Sequence, residues 1–336
     1  MAITTVAGAI SGMQYTREFV KAVTGTLVAG RPQSLLYLAG SPAAGVAPTP
    51  GLKGAALTSY GGQIPFTNPT SGNTYVARLQ AAAPQGGTLL LCDRLWHNSG
   101  YTITSTGAQV IGNTITSSSV ANPTVITTSA NHPFANGDVV NIQGHTGSTP
   151  AVSGSYTISN VTATSFTVPV NVTGGGTGGT VGLAQPARDM NGAIAGEGVF
   201  LGVEVSGAAG AAAPTLTISY TNSAGTGAKT GTNIVATANS PTQGTFYPIG
   251  LAAGDTGVQT VQSLTLSASW ISGTLSLVAY RVLARLEITL ANSPNAADAL
   301  TAGFARAYDN TVPFLIFIPQ TTTSSNIAGH VIWTQG

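Results

Sequence analysis

In TLTISYTNS (residues 215–223) apolar and hydroxyl side chains take turns. Leu216, Ile218 and Tyr220 fall on one face of an extended chain, and Thr215, Thr217 and Ser219 on the other. Successive side chains of a strand point to opposite sides, so this period of two predicts a half-buried antiparallel strand. Four further runs are apolar or alternating and rich in β-branched residues: TLLLCDRLWH (88–97), GVFLGVEV (198–205), TLSLVAYRVL (274–283) and FLIFIP (314–319). Gly, Pro, Asn or Ser bounds each of them, which marks them as strands too. Only TREFVKAV (16–23) and NAADALTAGFARAY (295–308) have patterns that predict short helices, the second capped by Asn295. Many short strands separated by turn residues predict an all-β fold, a jelly-roll-like β-sandwich with few short helices.

Between Asn113 and Leu183 the strand patterns continue but charge almost vanishes, leaving Asp138 as the single charged residue. The flanks regain charge and longer strands, and the segment closes on the Gly-rich TGGGTGGTVG. We read 113–183 as a small β-barrel module inserted into a host β-domain made of 1–112 and 184–336. An insertion of this kind asks only that its ends lie close together at an exposed host loop. Residues 1 to about 14 read as an extending arm. Inside the module, Asn136-Gly137-Asp138 predicts a turn. SYTISNVTATSFTV (155–168) predicts two strands joined as a hairpin through NVTATS, with Tyr156, Ile158, Phe166 and Val168 in the core.

Composition adds a reason to expect neighbours. Charged residues make up 6% of the chain, against roughly 25% in an ordinary soluble domain. Yet 43% of residues are apolar, and the mean hydropathy is +0.26. Disorder pairs low hydrophobicity with high charge, and this chain has neither, so an ordered fold is expected. A formal net charge of +1 gives little of the surface charge that keeps a lone protein in solution. This points to an obligate component of an assembly. The alternative is a secreted β-protein whose Thr, Ser, Asn and Gly stand in for charge. No basic residue precedes Arg17, so no secretory leader is expected. No apolar run is long enough for a membrane helix. Basic residues are scattered, which argues against a nucleic-acid partner. The lone Cys92 leaves no intrachain disulfide and fits a reducing compartment.

The densest reactive cluster is CDRLWH, with Cys92, Asp93, Arg94 and His97. A nucleophilic Cys needs a base in reach and a setting that lowers its pKa. Cys92 and Asp93 point to opposite strand faces, and LLLC suits an inert buried thiol. Asp93 and Arg94 are expected in loop or inter-subunit pairing. His132 and His145 in the module, and His97 and His330 outside it, do not form a four-ligand zinc pattern, and Asp138 alone cannot hold calcium. TGGGTGG (173–179) has no Gly-Lys-Ser/Thr ending and reads as a turn. Glu197 and Glu204 are the acid pair to test for glycoside cleavage, but their odd offset puts them on opposite faces of one strand. Catalytic, cofactor and metal residues are therefore all expected to be absent.

HPFANGDVV (132–140), GHTG (144–147), SGSYTISNVTATSFTV (153–168) and the closing Gly-rich strand (174–182) together resemble a β-barrel module. It is the module named after the first catalytic cysteine half-domain of ubiquitin-activating enzymes. The segment contains no Cys, so no ubiquitin chemistry follows. LLLCDRLWHNSG (89–100) and RAYDNTVPFLIFIP (306–319) are similar to stretches of tailed-bacteriophage virion structural proteins. These resemblances imply a capsid decoration or cement protein that binds the major capsid protein lattice and stabilises the head. They also imply self-association as a homotrimer, assembly in the host bacterial cytoplasm and a final place on the capsid surface. A tail, neck or fibre component adhering to host glycans, and a polysaccharide depolymerase, are the alternatives.

Overall fold

A computed structural model of the chain describes residues 5, 7–8, 12–22, 27–324 and 326–336. Gly87–His97 and Thr274–Ile288 run antiparallel from Ile288↔Gly87 to Val278↔His97 and form the middle of an eleven-stranded sheet. Each of the two strands serves two cores. Leu275, Leu277 and Ala279 enter a core shared with Val203, Ile218, Tyr247, Leu264 and Trp270. The register then shifts between Ala279 and Tyr280 and again between Val282 and Ala284. Such bulges re-aim the side chains that follow. Beyond them Leu283, Leu286 and Ile288 join Leu89 and Leu91 in a second core. That core is shared with Phe19, Val76, Leu79, Val331 and Trp333 of a six-stranded sheet. The fold is thus all-β, with a sandwich at one end of the long strands and a barrel-like curl at the other.

The alternating and apolar runs are strands. Leu216–Asn222 buries Leu216, Ile218 and Tyr220 completely, while Thr217 and Ser219 are half-buried. Both predicted helices need correction. Residues 16–23 lie largely in a strand, Met13–Lys21, which pairs with Ile327–Gln335 from Met13↔Gln335 to Lys21↔Ile327. Buried Phe19 and Lys21 alternate with exposed Glu18 and Val20, a period of two that so short a run carries alongside its helical pattern. A partner strand at its edge settles the choice. Of 295–308 only Ala299–Ala302 is helical. Asn295–Asp298 is a strand on Thr74–Ala82, and Asp298, not Asn295, caps the helix through Oδ1, 3.0 Å from the N–H groups of Leu300 and Thr301. Gly303, left-handed at φ 61, ends the helix after one turn. The expected arm lies mostly outside the described residues, and Met13 and Gln14 already belong to the first strand.

A second six-stranded sheet draws all its strands from Asn113 to Leu183, around a core containing Ile126, Val140, Ile142, Ile158, Phe166 and Val168. Tyr156 is only half-buried against that core. The expected hairpin is also corrected: Gly154–Thr157 and Ser165–Val168 are the two outer strands of the sheet, not neighbours within it. They approach from opposite edges, where Ser159 and Thr167 exchange backbone hydrogen bonds of 2.8 and 3.2 Å. That contact nearly closes the sheet into a barrel. The module lies against the host along Thr180–Leu183. A side chain at Gly182 would come within 2.7 Å of Thr260 Cβ, so the close approach depends on glycine. Lys53 of the host reaches both Asp138 oxygens at 2.9 Å.

Candidate functional site

The residues of CDRLWH divide as a strand requires. Cys92 packs among Leu36, Phe246, Val278, Phe314 and Ile316, and burial with nearby Asp93 pushes its thiol pKa well up. It is a poor nucleophile there. Asp93 and Arg94 are both fully buried, which removes them from any inter-subunit surface. Asp93 accepts from Arg188 Nε and Nη2 at 2.9 and 3.1 Å, and from the Val312 N–H at 2.9 Å. Arg94 Nη2 meets Glu204 Oε2 at 2.8 Å, and the Tyr37 hydroxyl donates to the same oxygen. Arg94 Nε donates to His97 Nδ1 at 3.1 Å. Burial, and then the Arg94 charge, push the His97 pKa down to about 3. Glu204 is thus no surface carboxylate, which takes it out of the pair considered for glycoside cleavage.

The module's histidines serve its own architecture. His132 stacks on Phe134 and meets the edge of Phe166. His145 stands between Gly178 O (2.7 Å from Nδ1) and Ser118 Oγ (2.9 Å from Nε2). A carbonyl only accepts, so Nδ1 carries a proton, and in the neutral ring Nε2 accepts from the Ser118 hydroxyl. Ser118 Oγ in turn accepts the Gly176 N–H at 2.8 Å. Ser118 and His145 have the spacing of a nucleophile and its base. Both are buried, however, and every polar atom of the pair is engaged in holding the Gly-rich loop. Sequence reasoning missed this pair because its members are 27 residues apart. Among the described residues no group of three or more His, Cys, Asp and Glu is placed to hold a metal, and no helix is long and apolar enough to cross a membrane.

Chemically capable groups also gather around a surface cleft of roughly 430 Å³ lined by Met190, Glu197, Phe200, Asp255, Thr256 and Arg281, among others. RDMNGAIAGEG builds one wall. Buried Asp189 collects the N–H groups of Asn191, Ala193, Gly196 and Glu197 at 2.8–3.2 Å and so fixes the loop that carries Glu197. Glu197 Oε2 accepts from Thr256 Oγ1 at 2.8 Å. Asp255 receives the Tyr220 hydroxyl at 2.6 Å and Asn222 Nδ2 at 2.7 Å, bonds that with Lys229 outweigh the upward pull of desolvation and hold its carboxyl below its ordinary pKa. Arg188, Asp189 and Arg281 escaped the sequence reading. The adjacent Arg and Asp in a charge-poor chain were the available signal.

The eleven basic and ten acidic side chains are unevenly placed. Lys21, Asp93, Arg94, Arg188, Asp189, Glu204 and Arg281 are buried, and only Glu18, Arg78, Arg285, Glu287 and Asp309 are well exposed.

No family model matches the chain, so the resemblance of 113–183 rests on the quoted residues alone. No curated protein matches it either. Weak structural neighbours are capsid proteins of infectious bursal disease virus. The T13 viral particle gives a TM-score of 0.17 at 10% identity, covering 97% of this chain and 78% of that one. The Gt strain gives 0.15 at 12% identity, covering 96% and 81%. The VP2 subviral particle gives 0.14 at 10% identity, covering 97% and 81%. TM-scores this low do not establish a shared fold.

Proposed function

We propose that this protein is a structural component of a virion, of the capsid decoration or cement type. It covers neighbouring major capsid subunits as a homotrimer, with the 113–183 module an inserted unit facing outward. The placement of charge is the observation that carries this reading: only five well-exposed and nine partly exposed charged residues serve a surface of 12773 Å². A compact monomer of 33.5 kDa is expected to expose about 12,700 Å². The chain thus folds to the surface of a compact monomer, and on this reading partners cover that surface and do not complete its core. Apolar area removed from water contributes about 25 cal/mol per Å², and few charges must be desolvated against it. Closed symmetry favours a homo-oligomer.

The test is stoichiometry in purified particles. Hundreds of copies per virion are expected. A few to tens would move the protein to the tail, neck or fibre, and none would overturn the virion reading. The tail reading, with adhesion to host glycans, is favoured by the cleft at Glu197 and Phe200. No enzymatic activity is proposed. Cleavage of host polysaccharide that disappears in Glu197→Gln would overturn that part.

A further inference from the structure

We propose that the cleft beside Phe200 binds one acidic sugar unit, a pyranose bearing a carboxylate, whether the protein sits on a head or a tail. Arg281 supplies the first reason. It lines the cleft, is 3% exposed and has no carboxylate of its own. Its Nη2 donates to Arg306 O at 2.8 Å and its guanidinium lies over the Tyr308 ring at 5.2 Å, while Nε, shielded from solvent, has no hydrogen-bond partner among the described residues. The two carboxylates whose charge acts on Arg281 are taken, Asp93 by Arg188 and Asp189 by four backbone N–H groups. A buried guanidinium left this way favours an incoming carboxylate, which it binds through paired hydrogen bonds.

The remaining walls say what the carboxylate is attached to. Glu197 has one oxygen, Oε1, in no hydrogen bond among the described residues, and Thr256 and Asp255 stand beside it. These are acceptors for hydroxyl donors. Phe200 and Met190, 39% and 58% exposed, offer an apolar platform for the C–H face of a ring. An acidic peptide would set further carboxylates and carbonyls against Glu197 and Asp255. A neutral sugar would leave Arg281, held by Arg306 O and the Tyr308 ring, without a carboxylate. Hydroxyls, a carboxylate and an apolar face on one small ring answer all three features. The cleft volume of roughly 430 Å³ lies in the range of small-molecule sites, and Asp189 holds the wall in place before any ligand arrives, which lowers the ordering cost.

Calorimetry or saturation-transfer NMR on the full chain tests the proposal. The probes are the methyl glycosides of glucuronic, galacturonic and N-acetylneuraminic acid, methyl glucoside, and a Glu-rich peptide. At least one acidic glycoside should bind about tenfold or more tightly than methyl glucoside. Phe200→Ala should weaken it by about fivefold through loss of the platform. Glu197→Ala should also weaken it by about fivefold, although removing a negative charge would strengthen binding of a bare anion. Arg281→Lys keeps the charge but loses the fork, and should cost about tenfold. If that buried variant does not fold, the two less buried positions still decide. Acidic glycosides binding no better than the neutral one would overturn the proposal. So would preference for the peptide, or binding indifferent to Phe200→Ala and Glu197→Ala.

Discussion

The Gly87–His97 strand of the host and the Thr173–Gly179 loop of the module are both fastened by buried polar side chains, but by different kinds. The strand is fastened with ions. Arg94 meets Glu204, Asp93 meets Arg188, and one nitrogen of Arg94 and one oxygen of Glu204 have no partner among the described residues. The loop is fastened without an ion pair, Gly176 N–H to Ser118 and Ser118 to His145, whose other nitrogen donates to Gly178 O. The first kind gains from low dielectric only while every partner is present, because an abandoned charge is far costlier there than an abandoned hydroxyl. The module's single charge, Asp138, is spent on the host's Lys53.

The largest effect should come from breaking one ion pair. Arg94→Met leaves Glu204 buried and uncompensated, and chemical denaturation should show a loss of about 3–5 kcal/mol. Adding Glu204→Leu should recover most of it; a double variant as unstable as the single one would mean that the strand needs the charges for more than mutual neutralisation. Ser118→Ala, which orphans the Gly176 N–H and His145 Nε2, should cost about 1–3 kcal/mol. Hydrogen exchange should localise that loss to the module. Should exchange rise equally in the host sheets, the two regions do not fasten independently.

Acid should act on the host through His97. Its folded pKa of about 3 lies below the ordinary 6.5, so between those values the unfolded chain binds the extra proton. The stability linked to this group is full above pH 6.5 and falls as pH drops toward 3, at up to about 1.4 kcal/mol per pH unit. A protonated ring would also turn Nδ1 from the acceptor of Arg94 Nε into a second donor. His97→Phe should flatten this acid slope in denaturation curves taken across the window, and an unchanged slope would assign it elsewhere. The smallest effect is expected at the partly exposed Lys53–Asp138 pair, where Lys53→Met should change stability by about 1 kcal/mol or less, and less again in high salt.

Much of the strand content was legible because it is a local property. Leu216, Ile218 and Tyr220 carry their alternation in seven residues, and the burial follows it. Ile158, Phe166 and Val168 were legible as core for the same reason. The pairing of their strands was not, since a turn-like NVTATS looks the same whether it closes a hairpin or spans a barrel seam. At the cleft, Glu197 was visible as an acid, but the buried Arg281 beside it was not. Nothing near Arg281 in the sequence says that the available carboxylates are occupied by other groups.

By itself the sequence determined that the chain is all-β, that charge is scarce, and that the scarcity is deepest between Asn113 and Leu183. Those follow from composition and from a side-chain period of two, which need no knowledge of neighbours. Tertiary structure alone decided that Thr16–Lys21 is strand, because the edge offered by Ile327–Gln335 satisfies its backbone where a lone segment is free to coil. Tertiary structure alone also decided that Asp93 faces Arg188 across 95 residues and Arg94 faces Glu204 across 110. Pairing of buried ions is a consequence of where sheets meet, and the bulges at Ala279/Tyr280 and Val282/Ala284 that re-aim the strand pairing with these residues exist only once both strands are in place.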